Sequence, residues 1–297
     1  MKATLTRGIQ AVKKTGRIRL FSRVRDMMMA RSIIMSPDGE AFWYKGRWNM
    51  VPRGAAVNML QGNSYFYENF LSATGTNDTF FGKAAYVVAG GATFTALGIN
   101  GGAGRATLAG DDGDVVAVYG PLAYEPDEAG RIWMQVRIRI SDVSVASAFI
   151  GFTDAITDSV IIEDEDGTLN TVATDAFGIL LEGEQDGTWQ TMGVGNNVDD
   201  TQRASSNITD PVDATFTTVY IEADSLGNAA RTVVRYRVRV DGVILATAGT
   251  DGDGWVNSVA RSNIIYAPAV SVDDRGTTYT TDIAEMAANG GVGTTLD

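Results

Sequence analysis

Residues 131–140 alternate strictly in character. Ile132, Met134, Val136, Ile138 and Ile140 take one parity; Arg131, Trp133, Gln135, Arg137 and Arg139 take the other. Successive side chains leave a strand on opposite sides, so this run predicts a strand with one buried and one solvated face. A helix cannot use the pattern, because at 3.6 residues per turn the apolar set would spread around the axis. Residues 231–240 repeat it, with Val234, Tyr236, Val238 and Val240 inward and Arg235, Arg237 and Arg239 outward. Asp241-Gly242 then returns the chain into Val243–Ala246, a strong hairpin signal.

Further strands are expected over Ala84–Ala89, Arg105–Leu108, Val115–Tyr119, Ala148–Phe152, Phe177–Glu182, Thr188–Val194, Thr217–Ala223, Ile264–Val272 and Thr278–Ile283. Turns of Gly, Asp and Asn separate them, and the chain spends 34 glycines against 6 prolines. Many strands without a long amphipathic helix predict an all-β fold, a two-sheet antiparallel jelly-roll sandwich. Ala284–Ala288 reads as one helical turn before a Gly-rich end. No repeat of fixed period is visible, which argues against propellers and solenoids.

Three segments follow from these patterns: a basic extended arm over 1–32, an aromatic hairpin with a linker over 33–63, and the sandwich over 64–297. The arm holds Lys2, Arg7, Lys13, Lys14, Arg17, Arg19, Arg23, Arg25 and Arg31 against Asp26 alone. The formal net charge of −12 therefore divides into +8 over residues 1–31 and −20 over the remaining 266. Such asymmetry marks a segment with its own partner. The basic groups are scattered and no apolar run of signal-peptide length follows them. No run long enough to cross a membrane as a helix occurs later. In the hairpin, Pro37-Asp38-Gly39 separates Ile33–Met35 from Ala41–Tyr44, and Lys45-Gly46-Arg47-Trp48 supplies a second turn. Phe42, Trp43, Tyr44 and Trp48 form an aromatic cluster that either makes a small local core pinning the hairpin to the main domain, stacks on sugars or bases, or docks on another protein.

Chemistry is bounded by two absences. The chain has no cysteine and no histidine. Thiolate nucleophiles, Cys or His zinc sites and Ser-His-Asp triads are therefore excluded. Acid-and-glycine clusters occur at 111–114, 163–167 and 251–254, but none has the EF-hand spacing. Glu182-Gly183-Glu184 and Glu222-Ala223-Asp224 do not complete the Glu-x-Asp-x-x-Glu strand of sandwich glucanases. The glycine-rich run 98–104 lacks the Lys-Ser/Thr of a P-loop. No catalytic residue, metal site or cofactor is expected, and the chain reads as a binding protein rather than an enzyme. The ladders Arg131/Arg137/Arg139 and Arg235/Arg237/Arg239 either pair with carboxylates across strands or hold an acidic neighbour, a phosphate or an anionic sugar.

The run from Trp133 to Asp142, followed by Phe149-Ile150-Gly151-Phe152-Thr153-Asp154, resembles concanavalin A-like lectin/glucanase sandwich domains. The resemblance extends over roughly residues 64–287. Behind a basic arm and without catalytic carboxylates, it is similar to the versions carried on tailed-bacteriophage virions. It implies a non-enzymatic virion structural protein, a capsid decoration or cement protein on the phage head surface. Lys13, Lys14, Arg17, Arg19, Arg23, Arg25, Arg31, Trp43 and Trp48 would then bind the major capsid protein or neighbouring copies. A homo-oligomer is expected, a trimer suiting a threefold lattice site. The alternative is a carbohydrate-binding or receptor-binding fibre domain that stacks a glycan on Trp133, Trp189 or Trp255.

Overall fold

The computed structural model describes residues 33–36, 39–44, 47–51, 64–68, 70 and 80–81, then 84–290 apart from 98–101, 112, 158–160, 166–167, 184–186, 200–202, 205–209, 247–250 and 275. The chain divides into two compact units, 1–65 and 66–297.

In chain order, the first strands are β1 (Ile33–Ser36), β2 (Gly39–Tyr44), β3 (Arg47–Val51), β4 (Ser64–Glu68), β5 (Phe80–Phe81) and β6 (Ala84–Ala89). They are followed by β7 (Thr93–Ala96), β8 (Gly104–Thr107), β9 (Val115–Tyr119), the short helix α1 (Pro126–Ala129), β10 (Arg131–Ile140) and β11 (Ala146–Thr153). Next come β12 (Ile162–Glu165), β13 (Thr168–Thr171), β14 (Asp175–Glu182), β15 (Trp189–Gly195), β16 (Val198–Asp199) and β17 (Arg203–Ala204). The last are β18 (Thr217–Asp224), β19 (Val233–Val240), β20 (Val243–Ile244), β21 (Val256–Arg261), β22 (Ala267–Asp274) and β23 (Thr280–Gly290).

In the first unit, β1, β2 and β3 form an antiparallel meander, so the expected hairpin gains a third strand. Arg47 and Trp48 belong to that strand rather than to the turn, and Trp48 is the register partner of Trp43.

The second unit is the sandwich. One sheet runs β20–β19–β18–β10–β23–β8–β7, and the other runs β16–β15–β14–β11–β22–β9–β6–β5. The strands pair antiparallel, and the architecture is the expected two-sheet jelly-roll sandwich. Between the sheets, Ile132, Met134, Val136 and Ile138 of β10 meet Ile150, Phe152, Phe177, Ile179 and Leu181 of the facing sheet. Each is buried, and burial of a side chain of this size contributes about 1.5–3 kcal/mol. Asp241 and Gly242 have φ of 49° and 83°, so the β19–β20 hairpin closes on two left-handed residues as the dipeptide requires.

The chain departs from expectation at its C-terminal end. Ala284–Ala288 is not a helical turn but the middle of β23, an eleven-residue strand between β10 and β8. Alanine favours a helix in isolation, yet here the backbone completes ladders on both sides and buries Ile283, Met286 and Ala288 in the core. A register shift opposite Arg137/Ile138 lets both ends of β23 keep their apolar side inward.

The second sheet is apolar on its outer side too. There Ala117, Tyr119, Phe149, Ala176, Leu180, Met192, Val194 and Ala269 form a smaller core, closed by Ile161 and Ala173 from the β11–β14 connection. The Tyr119 hydroxyl donates to the Thr157 carbonyl at 2.9 Å, and Asp154 Oδ1 accepts the Thr174 and Asp175 amides at 3.1 and 3.0 Å. The connection is thereby held against the sheet. Beneath it Gly151 faces Gly178 across the ladder, and a Cβ on Gly151 would come within 2.2 Å of the Phe177 carbonyl oxygen. Only glycine fits there.

Candidate binding face

The outer side of the β10 sheet is a grid of polar and aromatic groups. Its rows follow from the register: Arg131, Asp224 and Arg235; Trp133, Glu222 and Arg237; Gln135, Tyr220 and Arg239. These residues alternate with the core set on their strands, so the parity that buries Ile132 and Met134 is the one that presents Trp133.

β18 supplies the carboxylates that bind Arg235, Arg237 and Arg239, and Arg131 approaches the same two groups. Arg235 makes a bidentate pair with Asp224, from Nε and Nη2, both at 2.9 Å. Glu222 Oε1 accepts Arg237 Nε at 2.8 Å, Arg237 Nη2 at 2.5 Å and Arg239 Nη1 at 2.9 Å. Across β10, Asp282 of β23 binds Arg105 through Nε at 2.6 Å and Nη2 at 2.9 Å, and also binds Arg139. Burial alone would raise the Asp282 carboxyl, but the two guanidinium groups outweigh it and hold it below the usual carboxylate range. Fork-shaped pairing of this kind fixes geometry as well as charge.

Aromatic rings are set into the grid. Trp133 and Tyr220, both half-buried, stack with centroids 5.9 Å apart and planes 29° apart. Burial, reinforced by the Glu222 charge, pushes the Tyr220 hydroxyl up to about 12 against the opposing pull of Arg239, Arg131 and Arg237. It therefore stays a neutral donor across the ordinary pH range. Trp255 lies under the guanidinium groups of Arg235 and Arg237, 4.4 and 4.8 Å from its ring centre, and is 8% exposed. Phe216 carries Arg137 and Arg139 at 4.4 and 4.7 Å.

Of the three tryptophans expected to stack a glycan, only Trp133 offers an open ring. Trp189 is 1% exposed and belongs to the core, and the ring of Trp255 is occupied by arginines. Trp43 and Trp48 are brought together as register partners in the meander. Lys13, Lys14, Arg17, Arg19, Arg23, Arg25 and Arg31 lie outside the described residues. Sequence reasoning missed Tyr220, Glu222, Asp224 and Asp282 as parts of one site. Alternation along 217–223 does set Tyr220 and Glu222 apart from Val219 and Ile221, but nothing local says that they adjoin Trp133.

Two of the acidic clusters hold loop backbone. Asp114 accepts the Gly91 and Ala109 amides at 2.5 and 2.8 Å, and Asp251 Oδ1 accepts those of Asp253 and Trp255, each at 2.9 Å. The side chains of 163–165 are outside the described residues. No group of three or more acidic residues suited to a metal ion occurs among the described residues.

No family model matches this sequence, and no curated protein matches it. Among solved structures, the chain is similar to a protein of unknown function from Shewanella oneidensis MR-1, with a TM-score of 0.54 at 12% identity, covering 79% of this chain and 89% of that one. It is also similar to the carbohydrate recognition domain of Emp46p in its potassium-bound form, with a TM-score of 0.47 at 11% identity over 75% of this chain and 95% of the other. The alginate lyase Aly36B aligns with a TM-score of 0.45 at 10% identity over 76% and 96%. At 12% identity, what the chain has in common with the Shewanella protein is the fold alone.

Proposed function

We propose that the sandwich is a non-enzymatic carbohydrate-binding domain, with its site on the outer face of β10, β18, β19 and β23. One observation carries this reading: the half-buried Trp133–Tyr220 stack set in a flat grid of oriented guanidinium and carboxylate groups. A pyranose ring has an apolar C–H face that packs on an aromatic ring, and hydroxyls around its rim that pair with planar polar groups. The grid supplies both without rearrangement, so little ordering cost falls on binding.

The same groups are poorly suited to catalysis. A general base works best with a pKa near the working pH. Tyr220 is held far above that range and Asp282 below the carboxylate range, while Glu222 and Asp224 serve as arginine clamps. A glycan array probed with the native protein and with Trp133→Ala tests the reading. Binding lost in the variant supports it, whereas an array without hits removes it.

A second reading rests on the charge division of +8 over residues 1–31 against −20 over the rest. In it the basic arm and the meander anchor the protein to the major capsid protein or to neighbouring copies on a phage head, and the acidic sandwich faces outward. An extended basic segment gains affinity from Arg–carboxylate pairs, and copies on a lattice add avidity. Removal of residues 1–31 should then abolish attachment to particles while the sandwich stays folded, as followed by co-sedimentation. Unchanged occupancy sinks the anchor.

A further inference from the structure

Within the grid, five arginines hydrogen-bond a carboxylate and two do not. Arg105, Arg139, Arg235, Arg237 and Arg239 each donate hydrogen bonds to Glu222, Asp224 or Asp282. Arg131 comes no closer than 3.6 Å to Glu222 and 3.7 Å to Asp224, beyond good hydrogen-bond range, and its side chain is 45% exposed. Arg137 is exposed and makes no ion pair among the described residues. Its register partner Glu285 instead accepts Gln135 Nε2 at 2.9 Å. Each of the two guanidinium groups rests on an aromatic ring, Arg131 on Trp255 at 5.3 Å and Arg137 on Phe216 at 4.4 Å. The rings hold the cations in place and leave their donors unspent.

Both residues share the outward parity of β10 with Trp133, one before it and one after. Six residues of extended chain set them about 20 Å apart. The aromatic stack thus has on either side a guanidinium that is not hydrogen-bonded to a carboxylate, at a separation that several sugar units would span. A neutral chain would leave the donors of both guanidinium groups without an anion. An anionic chain would meet them with carboxylates or sulfates, which a guanidinium binds bidentately. Asp251 and Asp253 lie near Arg235 and are the acidic groups that rim the Trp255 end; Glu285 stands at the other. They would discourage a polyanion from wandering beyond the stretch that the two arginines define.

We infer that the ligand is an acidic polysaccharide, and that Arg131 and Arg137 are the residues that select its charge. This rests on the carbohydrate-binding reading above. Affinity electrophoresis of the full chain in gels containing polygalacturonate, its methyl ester, dextran sulfate or dextran tests both ideas separately. Wild-type protein should be retarded by an anionic polymer about tenfold more strongly than by its neutral counterpart, with the difference shrinking as salt is added. The uronate and sulfate gels tell which anion is preferred. Arg131→Gln/Arg137→Gln should lose that retardation while the melting temperature falls only slightly, because neither residue donates a hydrogen bond to a carboxylate. Equal retardation by charged and neutral polymers that Trp133→Ala abolishes overturns the charge inference and leaves the carbohydrate reading standing. No retardation in any gel overturns both.

Discussion

The two sheets of the sandwich turn different outer faces outward. On the β11 sheet the outer side is a second apolar core, capped by the connection that carries Ile161 and Ala173. On the β10 sheet it is an arginine–carboxylate grid with half-buried aromatic rings between the charges. One face contributes stability by removing apolar area from water. The other contributes comparatively little, because ion pairs with partly exposed arginines roughly offset the cost of desolvating them. A face that the fold can do without is free to be spent on a ligand.

Substitutions can break that contrast. Phe149→Ala in the second core should cost the most, about 3–5 kcal/mol, read by chemical denaturation. Glycan binding by the fraction still folded should not change. Glu222→Gln comes next at about 1–2 kcal/mol, since it removes the charge that Arg237 and Arg239 share while keeping an acceptor oxygen. Here binding should fall as well, because the grid loses its centre. If Glu222→Gln proved neutral, the grid would be looser than its geometry indicates.

Acid should act on the grid in a defined direction. Asp282 is held below its unfolded value, so its contribution is complete above the ordinary carboxylate range and is lost as pH falls through the lowered value. Asp282→Asn should remove that part of the acid dependence of the melting temperature. A variant with the same acid profile as wild type would show that other carboxylates dominate. Trp133→Ala should be mildest for stability, about 1 kcal/mol from the lost stack with Tyr220, while abolishing glycan binding. A large loss of stability there would mark Trp133 as a packing residue.

Strand parity is legible in the order of the residues alone. The runs 131–140 and 233–240 sort their arginines outward and their aliphatics inward, and Asp241-Gly242 turns as its chemistry demands. Short-range composition misleads at Ala284–Ala288, where alanine content suggests a helix and ladders on both sides impose a strand. Trp189 and Trp255 look equivalent to Trp133 as stacking platforms in the sequence. Burial in one case and covering arginines in the other separate them.

What the sequence by itself determined is which side of each strand meets water, because a period of two is written in consecutive residues. It also determined the chemistry that a chain without histidine or cysteine cannot do. Which strands become neighbours was decided only by the tertiary structure. Arg131 and Arg235 stand more than a hundred residues apart in the chain and meet through Asp224 of a third strand, β18. Pairing of that range depends on burying the whole inner face at once, and no local pattern encodes it. The two arginines left without a hydrogen-bonded carboxylate are a product of that pairing, and so is the site proposed between them.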